Sequence, residues 1–315
     1  VSASTEFAQQ RAFDRSAPVG LVGLGLVGTA LAQRLTQAGF DIIGFDIRPE
    51  ARDALQAQGM RVAASPRELG ARSQVVVLAV FDTAGAIAAI EGPDGLTAGE
   101  EGGAVRAVID CSTGIPEALE ALGQRLAARH IDLVEAPLSG SSSQIAAGDA
   151  TLLLGGDGDA IAALEPWLSA LSSKRIHVGG AGAGARAKLA TNLVLGLNRA
   201  ALAEGMVLAE SMGIAPARFL ELVLATPARS DAALAKGAMM VNEDFAPQSR
   251  IRQHLKDVDL MLGHGQRTGQ RLPLSETHAA LMRAAVAAGD GELDNAAILR
   301  QLRRERTLPT PNDTH

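Results

Sequence analysis

Three glycines, Gly23, Gly25 and Gly28, stand at G-x-G-x-x-G spacing within Val19-Gly20-Leu21-Val22-Gly23-Leu24-Gly25-Leu26-Val27-Gly28. Where a strand turns into a helix, Gly23 would make the tight turn, Gly25 would let a phosphate approach the backbone, and Gly28 would let helix and strand pack closely. Negative charge would then sit on the helix N-terminus, whose N–H groups have no partner within the helix. The same spacing occurs in plain glycine-rich turns, so its context decides. Here Asp46 closes the next apolar run, at the distance expected of an acid that bonds ribose hydroxyls. The segment therefore predicts a dinucleotide site formed by Gly23, Leu24, Gly25, Leu26, Val27 and Gly28, with Asp46, Ile47 and Arg48 at its ribose end. Asp46 favours NAD, because a carboxylate repels the additional phosphate of NADP. Arg48 either turns toward such a phosphate or is a solvated turn charge, so NADP is not excluded.

A second set of reactive side chains lies downstream. Gly182-Ala183-Gly184-Ala185-Arg186-Ala187-Lys188-Leu189-Ala190-Thr191-Asn192 holds a lysine and an asparagine four residues apart, and on a helix i and i+4 share a face. An ammonium can protonate a developing alkoxide, and the neutral amine can take the proton back. Lysine does this best when burial lowers its pKa to roughly 7 or 8. The bland alternative is a solvated charge near a helix start. In Glu135-Ala136-Pro137-Leu138-Ser139-Gly140, a serine hydroxyl and exposed backbone N–H groups can form a small anion nest or simply a strand-to-loop turn. Lys256, in Leu255-Lys256-Asp257-Val258-Asp259-Leu260, either attracts an anion or belongs to a charged helix face.

Composition removes several other chemistries. The chain has no tyrosine, so a Tyr-x-x-x-Lys proton donor is impossible. Its single cysteine, Cys111, allows neither an internal disulfide nor a zinc-ligand spacing. A net charge of -6 argues against a nucleic-acid surface. No apolar run approaches the length of a membrane span, and the N-terminus lacks the basic-then-apolar pattern of a signal peptide, so a cytoplasmic protein is expected. His130, His177, His254, His264 and His278 fall in no His–carboxylate or metal spacing and read as surface or packing residues. Trp167 and Met239-Met240 read as core or interface residues.

The elements that must position these residues follow from hydrophobic patterning. At 315 residues two domains are expected. Residues 1–17 are polar and aperiodic and predict a flexible tail. Short apolar runs predict strands over Val19–Gly23, Ile42–Asp46, Val75–Val80, Val105–Asp110 and Ile131–Glu135, alternating with helices over Thr29–Ala38, Pro49–Gln58, Thr83–Ile90 and Pro116–Arg129. Runs without polar alternation suit strands covered on both faces, and the βαβα rhythm predicts a doubly wound Rossmann sheet. A strand (Thr151–Leu154), a helix (Asp159–Leu171) and a strand (Arg175–Val178) follow. From Gly184 to about Met212 the chain predicts one helix of roughly 40 Å. Its apolar residues lie almost all round, which predicts burial over much of its length. The remainder reads helical, with breaks near Pro216, Pro227, Pro247 and Pro273. The expected organisation is a Rossmann domain over 18–180, an all-helical domain over 181–308 joined to it by the long helix, and a tail over 309–315.

Read together, these segments resemble the β-hydroxyacid dehydrogenase family over nearly the whole chain after Pro18. The resemblance implies an NAD(P)-dependent oxidoreductase that interconverts a small 3-hydroxyacid and its semialdehyde or oxo acid, of the 3-hydroxyisobutyrate or 2-hydroxy-3-oxopropionate type. It implies Lys188 as general acid and base, with Asn192 orienting it in a cleft between the domains. It implies a carboxylate turn at Ser139, Gly140 and Ser141, with Lys256 touching substrate or cofactor. Thr113, in Asp110-Cys111-Ser112-Thr113-Gly114-Ile115-Pro116, would lie near the nicotinamide ribose, and Ala79 and Val80 stand where the family carries a cofactor-touching Leu-Pro. No metal is implied. Ser141 replaces the second glycine of the family's Ser-Gly-Gly turn, and Gln144-Ile145 replaces Gly-Ala, which predicts a narrower and more polar carboxylate pocket. Two alternatives share the pattern: an imine reductase, which usually carries a different acid at the lysine position, and a nicotinamide-binding regulator without catalysis. The apolar long helix further predicts a homodimer or a homotetramer built from dimers.

Overall fold

The computed structural model describes residues 13–98 and 103–306. The chain divides into two compact units, the division falling after Lys188. In the first unit the elements run β1 (Val19–Val22), α1 (Leu26–Gln37), β2 (Ile42–Phe45), α2 (Pro49–Ala57), β3 (Arg61–Val62), α3 (Pro66–Arg72), β4 (Val75–Leu78), α4 (Thr83–Glu91), β5 (Ala107–Asp110), α5 (Pro116–Ala127) and β6 (Asp132–Glu135). Proline opens α2, α3 and α5, where its missing N–H costs nothing and its fixed φ suits the first turn. Strands β3-β2-β1-β4-β5-β6 lie side by side in that order, all parallel. The order reverses between β1 and β4, the switch point at which such sheets open a crevice beyond their carboxyl ends.

Apolar residues cover both faces of this sheet. Leu21, Leu31, Leu35 and Ile109 pack on one side, and Val22, Ile43, Leu69 and Leu122 on the other, all essentially without solvent contact. At about 1.5–3 kcal/mol for each such side chain, this two-sided burial is what makes continuous apolar strands stable here.

Past β6 the unit continues through β7 (Leu138–Ser139), α6 (Ser142–Ala147), β8 (Thr151–Gly155), α7 (Gly158–Ala163), α8 (Glu165–Leu171) and β9 (Lys174–Gly179). Strand β8 runs antiparallel to β6 and β7 and parallel to β9, so the nine-stranded sheet of the described residues is mixed at this edge.

Several expectations are corrected. The single helix expected over 159–171 is two helices, α7 and α8, because Pro166 lacks the N–H that would continue the ladder through Leu164. Helix α1 begins at Leu26 rather than Thr29, which puts Leu26 and Val27 in its first turn. Elements β3, α3, β7 and α6 were not anticipated. Part of the expected tail is also anchored, since Phe13 meets Trp167 edge-on at 5.6 Å and Arg106 lies 5.2 Å over its ring. Trp167 itself is buried and stacks on Phe40, as a core residue should. Residues 1–12 and 307–315 lie outside the described residues.

Helix α9 (Ala183–Ser211) contains the division. The second unit continues through α10 (Pro216–Ala225), α11 (Asp231–Asn242), α12 (Ile251–Thr268), α13 (Pro273–Ala287), a 3-10 turn (Asn295–Ala297) and α14 (Ile298–Arg304). The breaks expected near Pro216 and Pro273 are found, each proline opening the helix that follows the break. The core joins Leu202 and Met206 of α9 to Met240, Ile251, Val258 and Met282. Buried residues recur along much of the length of α9, from Ala185 to Ala209, as expected, but not on every side. Val194 (57% exposed) and Leu208 (55%) lie on an outer face. Asn198, Ala201 and Glu204 lie exposed between them, so this largely apolar helix presents one buried stripe and one exposed one.

Candidate functional site

The turn after β1 has the geometry that its glycines require. Gly23 sits at φ +92, and a side chain there would place Cβ 2.3 Å from the Ala79 carbonyl oxygen. At Gly28 a Cβ would lie 1.8 Å from the Gly23 carbonyl oxygen, so any larger residue forces α1 off the strand. Gly25 is different in kind. Only Arg48 Nη2, at 3.9 Å, comes near the position its Cβ would take, which leaves a cradle over the backbone that a side chain would fill. Gly25 is also the N-cap of α1, with no side-chain cap and no acidic residue in the first turn. The leading N–H groups of α1 thus keep their partial positive charge for an anion, and the residues fit a dinucleotide pyrophosphate.

Asp46, at the end of β2, is buried and closely held. Its Oδ2 accepts from the Leu24 N–H at 2.7 Å and from Arg48 Nη2 at 3.1 Å, and its Oδ1 accepts from Arg48 N at 2.9 Å and Arg48 Nε at 3.0 Å. Burial opposes its charge, but these bonds more than compensate and hold its carboxyl below the usual carboxylate value. A carboxylate has about four acceptor positions, and all are in use. Arg48, although more than half exposed, is paired: its guanidinium forks onto Asp46. Arg52 adds a second guanidinium, donating to the Asp46 carbonyl at 2.6 Å and lying 5.7 Å over Phe45. Ile47 points into solvent at 85% exposure.

Ala79 and Val80 follow β4, beside the Gly23 turn, and Val80 N donates to Ser112 Oγ at 3.0 Å. Ile115 N donates to Thr83 Oγ1 at 2.8 Å, so the β5–α5 loop that carries Thr113 is tied to the start of α4. These residues gather at one end of the sheet, next to the glycine turn.

Ser139 ends β7 and Gly140 follows it, where a Cβ would lie 2.8 Å from that of Ala150. Ser141 is the N-cap of α6. Its Oγ accepts from Gln144 N at 3.3 Å while Gln144 Oε1 accepts from Ser141 N at 2.8 Å, a reciprocal capping box. Both departures from the family's glycine-rich turn thus serve the start of a helix. Ser141 Oγ also contacts Ser143 Oγ at 2.8 Å.

Lys188 and Asn192 are both buried on consecutive turns of α9. Within the second unit, Asn192 Nδ2 donates to Asp257 Oδ2 at 2.8 Å, and Lys256 Nζ pairs with Asp257 Oδ1 at 3.0 Å. Asp257 thus joins Asn192 and Lys256, a link that its place in the sequence does not announce. A partial signal was available: Asp257 falls in the buried stripe of α12 with His254, Val258 and Met261, where a carboxylate needs partners. Among the histidines, His254 and His278 are buried with ring centroids 5.4 Å apart, and burial pushes His278 down to about 4. Among the described residues no group of three or more His, Cys, Asp or Glu could hold a metal ion, and no helix is long and apolar enough to cross a membrane.

Comparison with known proteins places both units. Residues 18–180 match the family described as the NAD binding domain of 6-phosphogluconate dehydrogenase, and residues 182–302 match the NAD-binding family of NADP-dependent 3-hydroxyisobutyrate dehydrogenase. The chain is 32% identical to L-threonate dehydrogenase of Cupriavidus necator, over 89% of this chain and 94% of that one. It is 28% identical to 2-(hydroxymethyl)glutarate dehydrogenase of Eubacterium barkeri, over 91% and 95%. Among solved structures it is similar to 3-hydroxyisobutyrate dehydrogenase from Salmonella typhimurium, with TM-score 0.80 and 28% identity over 90% of this chain and 99% of that one.

Proposed function

The chain belongs to the β-hydroxyacid dehydrogenase family and is an NAD(P)-dependent hydroxyacid dehydrogenase, and from that premise we propose that it oxidises a short 3-hydroxyacid, or reduces the matching semialdehyde or oxo acid, with Lys188 moving the proton. When bound, the nicotinamide takes or gives the hydride. In oxidation the neutral Lys188 amine removes the proton from the substrate hydroxyl oxygen; in reduction the ammonium returns it. The observation that carries this reading is the burial of Lys188 one helical turn before Asn192, whose amide is fixed by Asp257. Asn192 orients the lysine or the substrate oxygen, and Lys256, held by Asp257, supplies positive charge for an anionic partner. Ser139, Gly140 and Ser141 receive the carboxylate.

The Cupriavidus relative bears the name of a threonate enzyme, and threonate is itself a 3-hydroxyacid, so hydroxylated four-carbon acids head the candidate substrates. A panel of short hydroxyacids and semialdehydes, followed by nicotinamide absorbance with each cofactor, tests this. Turnover confined to substrates lacking a carboxylate would overturn it.

For the cofactor we favour NAD, bound with the Asp46 carboxylate on the ribose hydroxyls and the glycine turn (Gly23, Leu24, Gly25, Leu26, Val27, Gly28) on the pyrophosphate. Because Arg48 occupies the acceptor positions of Asp46, it must swing aside for the ribose to bond. Two variants therefore move in opposite directions. Asp46→Ala raises KM for NAD and relaxes discrimination against NADP. Arg48→Ala, which frees the carboxylate, raises the preference for NAD by about tenfold, worth roughly 1.4 kcal/mol. Steady-state kinetics with both cofactors measure each ratio, and a wild type that prefers NADP tenfold would reverse the assignment of Arg48.

The outer face of α9 is covered, in this reading, by a second copy of the chain, giving a dimer or a tetramer of dimers. Val194, Leu208 and the neighbouring Met212 (67% exposed) leave apolar area there that oligomer interfaces typically bury. Light scattering should give a multiple of the chain mass, and Leu208→Glu should shift it toward the monomer. A wild-type chain that runs as a stable monomer would refute this.

A further inference from the structure

The segment that leads into α9 cannot cap that helix. Gly179-Gly180-Ala181-Gly182 contains no Ser, Thr, Asp or Asn, and Gly182 takes φ +82, which only glycine adopts freely. Helix starts leave several N–H groups without partners, and at a buried start these must be met from elsewhere. Here they are met by a residue 47 positions earlier. Glu135, the last residue of β6, accepts from the Gly182 N–H through Oε1 and from the Ala185 N–H through Oε2 at 2.7 Å. The approach is close because two glycines permit it: a Cβ on Gly155 would lie 2.5 Å from Gly184 N, and one on Gly184 would lie 2.9 Å from the Leu153 carbonyl oxygen.

Glu135 is 2% exposed and stands beside Asp110, its register partner on β5. Burial pushes its carboxyl above the ordinary value, the two N–H bonds oppose this, and the charge of Asp110 adds to the rise. A carboxylate placed here is costly unless it has a task, and both of its oxygens point at the first turn of the helix that bears Lys188 one turn later.

We infer that Glu135 is a positioning residue for the proton-transfer step: its carboxylate clamps the start of α9 to the end of β6 and so fixes where Lys188 stands. This rests on the reading of Lys188 as the proton-transfer group. Glu135 touches neither substrate nor cofactor in this role, and it acts only through the helix. The neutral isostere Glu135→Gln offers one acceptor for two donors and turns an NH2 toward the other N–H, loosening the clamp while preserving volume.

The test is a double-mutant cycle over Glu135→Gln and Lys188→Met, with dinucleotide affinity and thermal melting measured on each protein. Glu135→Gln should lower kcat by 10- to 100-fold while the dissociation constant for the dinucleotide changes less than twofold. In the Lys188→Met background the same substitution should lower kcat no further, because there is no lysine left to position. If Glu135→Gln melts below the assay temperature, Glu135→Asp replaces it: the charge stays but withdraws by one methylene, and the cycle is read the same way. A Glu135 variant within threefold of wild-type kcat, with Lys188→Met inactive, overturns this inference and leaves the lysine reading intact. Equal losses in both backgrounds also overturn it, showing a structural role alone. Retained turnover in Lys188→Met fells the lysine reading, and this inference with it.

Discussion

Replacing Lys188 with methionine should lower turnover by a factor on the order of 10² to 10⁴, the usual worth of a positioned proton-transfer group, while leaving fold and dinucleotide affinity in place. Methionine suits the position because Lys188 is buried on a continuous helix, and in the proposed reading the dinucleotide lies on the turn after β1 rather than on α9. In the oxidative direction the wild-type rate should rise with pH as the amine loses its proton, and this rise should vanish in the variant. Asn192→Ala should lose less, since it removes an orienting amide and leaves Asp257 to Lys256 alone. Steady-state kinetics over pH with calorimetric dinucleotide binding measure all of these. A Lys188→Met enzyme that binds NAD normally and keeps more than about a third of turnover has lost under about 1 kcal/mol of barrier stabilisation, and the proton would then travel by another group.

The second large effect separates two glycines of one motif. Gly28→Ala should abolish dinucleotide binding and destabilise the first unit, because its Cβ would sit 1.8 Å from a backbone oxygen that cannot move without β1. Overpacking of this kind costs about 1–3 kcal/mol even where neighbours can yield, and here they cannot. Gly25→Ala should instead fold with a loss of about 1 kcal/mol or less, since its Cβ enters open space and its φ of -75 is ordinary for alanine. Its dinucleotide affinity should nevertheless fall at least tenfold, about 1.4 kcal/mol, because the methyl group fills the cradle where the pyrophosphate meets the backbone. Thermal melts and titrations on both variants decide. Wild-type affinity in Gly25→Ala would mean that the phosphates do not lie over that residue.

Local signals account for most of what could be read before any coordinates. The apolar runs at Val75–Leu78 and Ala107–Asp110 are strands because both sheet faces are covered, and burial on two sides leaves no place for polar alternation. The glycine spacing of the first turn and the i, i+4 placement of Lys188 and Asn192 are likewise properties of neighbouring residues, visible in one dimension. Some local signals were present and missed. Ser65 with Glu68, and Ser141 with Gln144, carry the capping pattern that starts α3 and α6, but those helices are too short for periodicity to register.

What the sequence alone determined is therefore the alternation of strands and helices, the glycine turn after β1 and the pair on the long helix. Tertiary structure decided the rest, because it depends on residues far apart in the chain. Whether Arg48 is a solvent charge or a fork on Asp46 turns on the curl of the chain after β2, which also brings the Leu24 N–H to the same carboxylate. Asp257 acquires its role only when α12 lies against α9 and meets Asn192, 65 positions away. Whether α9 was wrapped on all sides could not be read from its composition, since alanine and glycine are tolerated both inside and out, and only packing shows Val194 and Leu208 facing water. The start of α9 is the clearest case. A helix preceded by three glycines and an alanine has no cap in its own segment, and its partner, Glu135, is supplied by the sheet through a fold that no local pattern encodes.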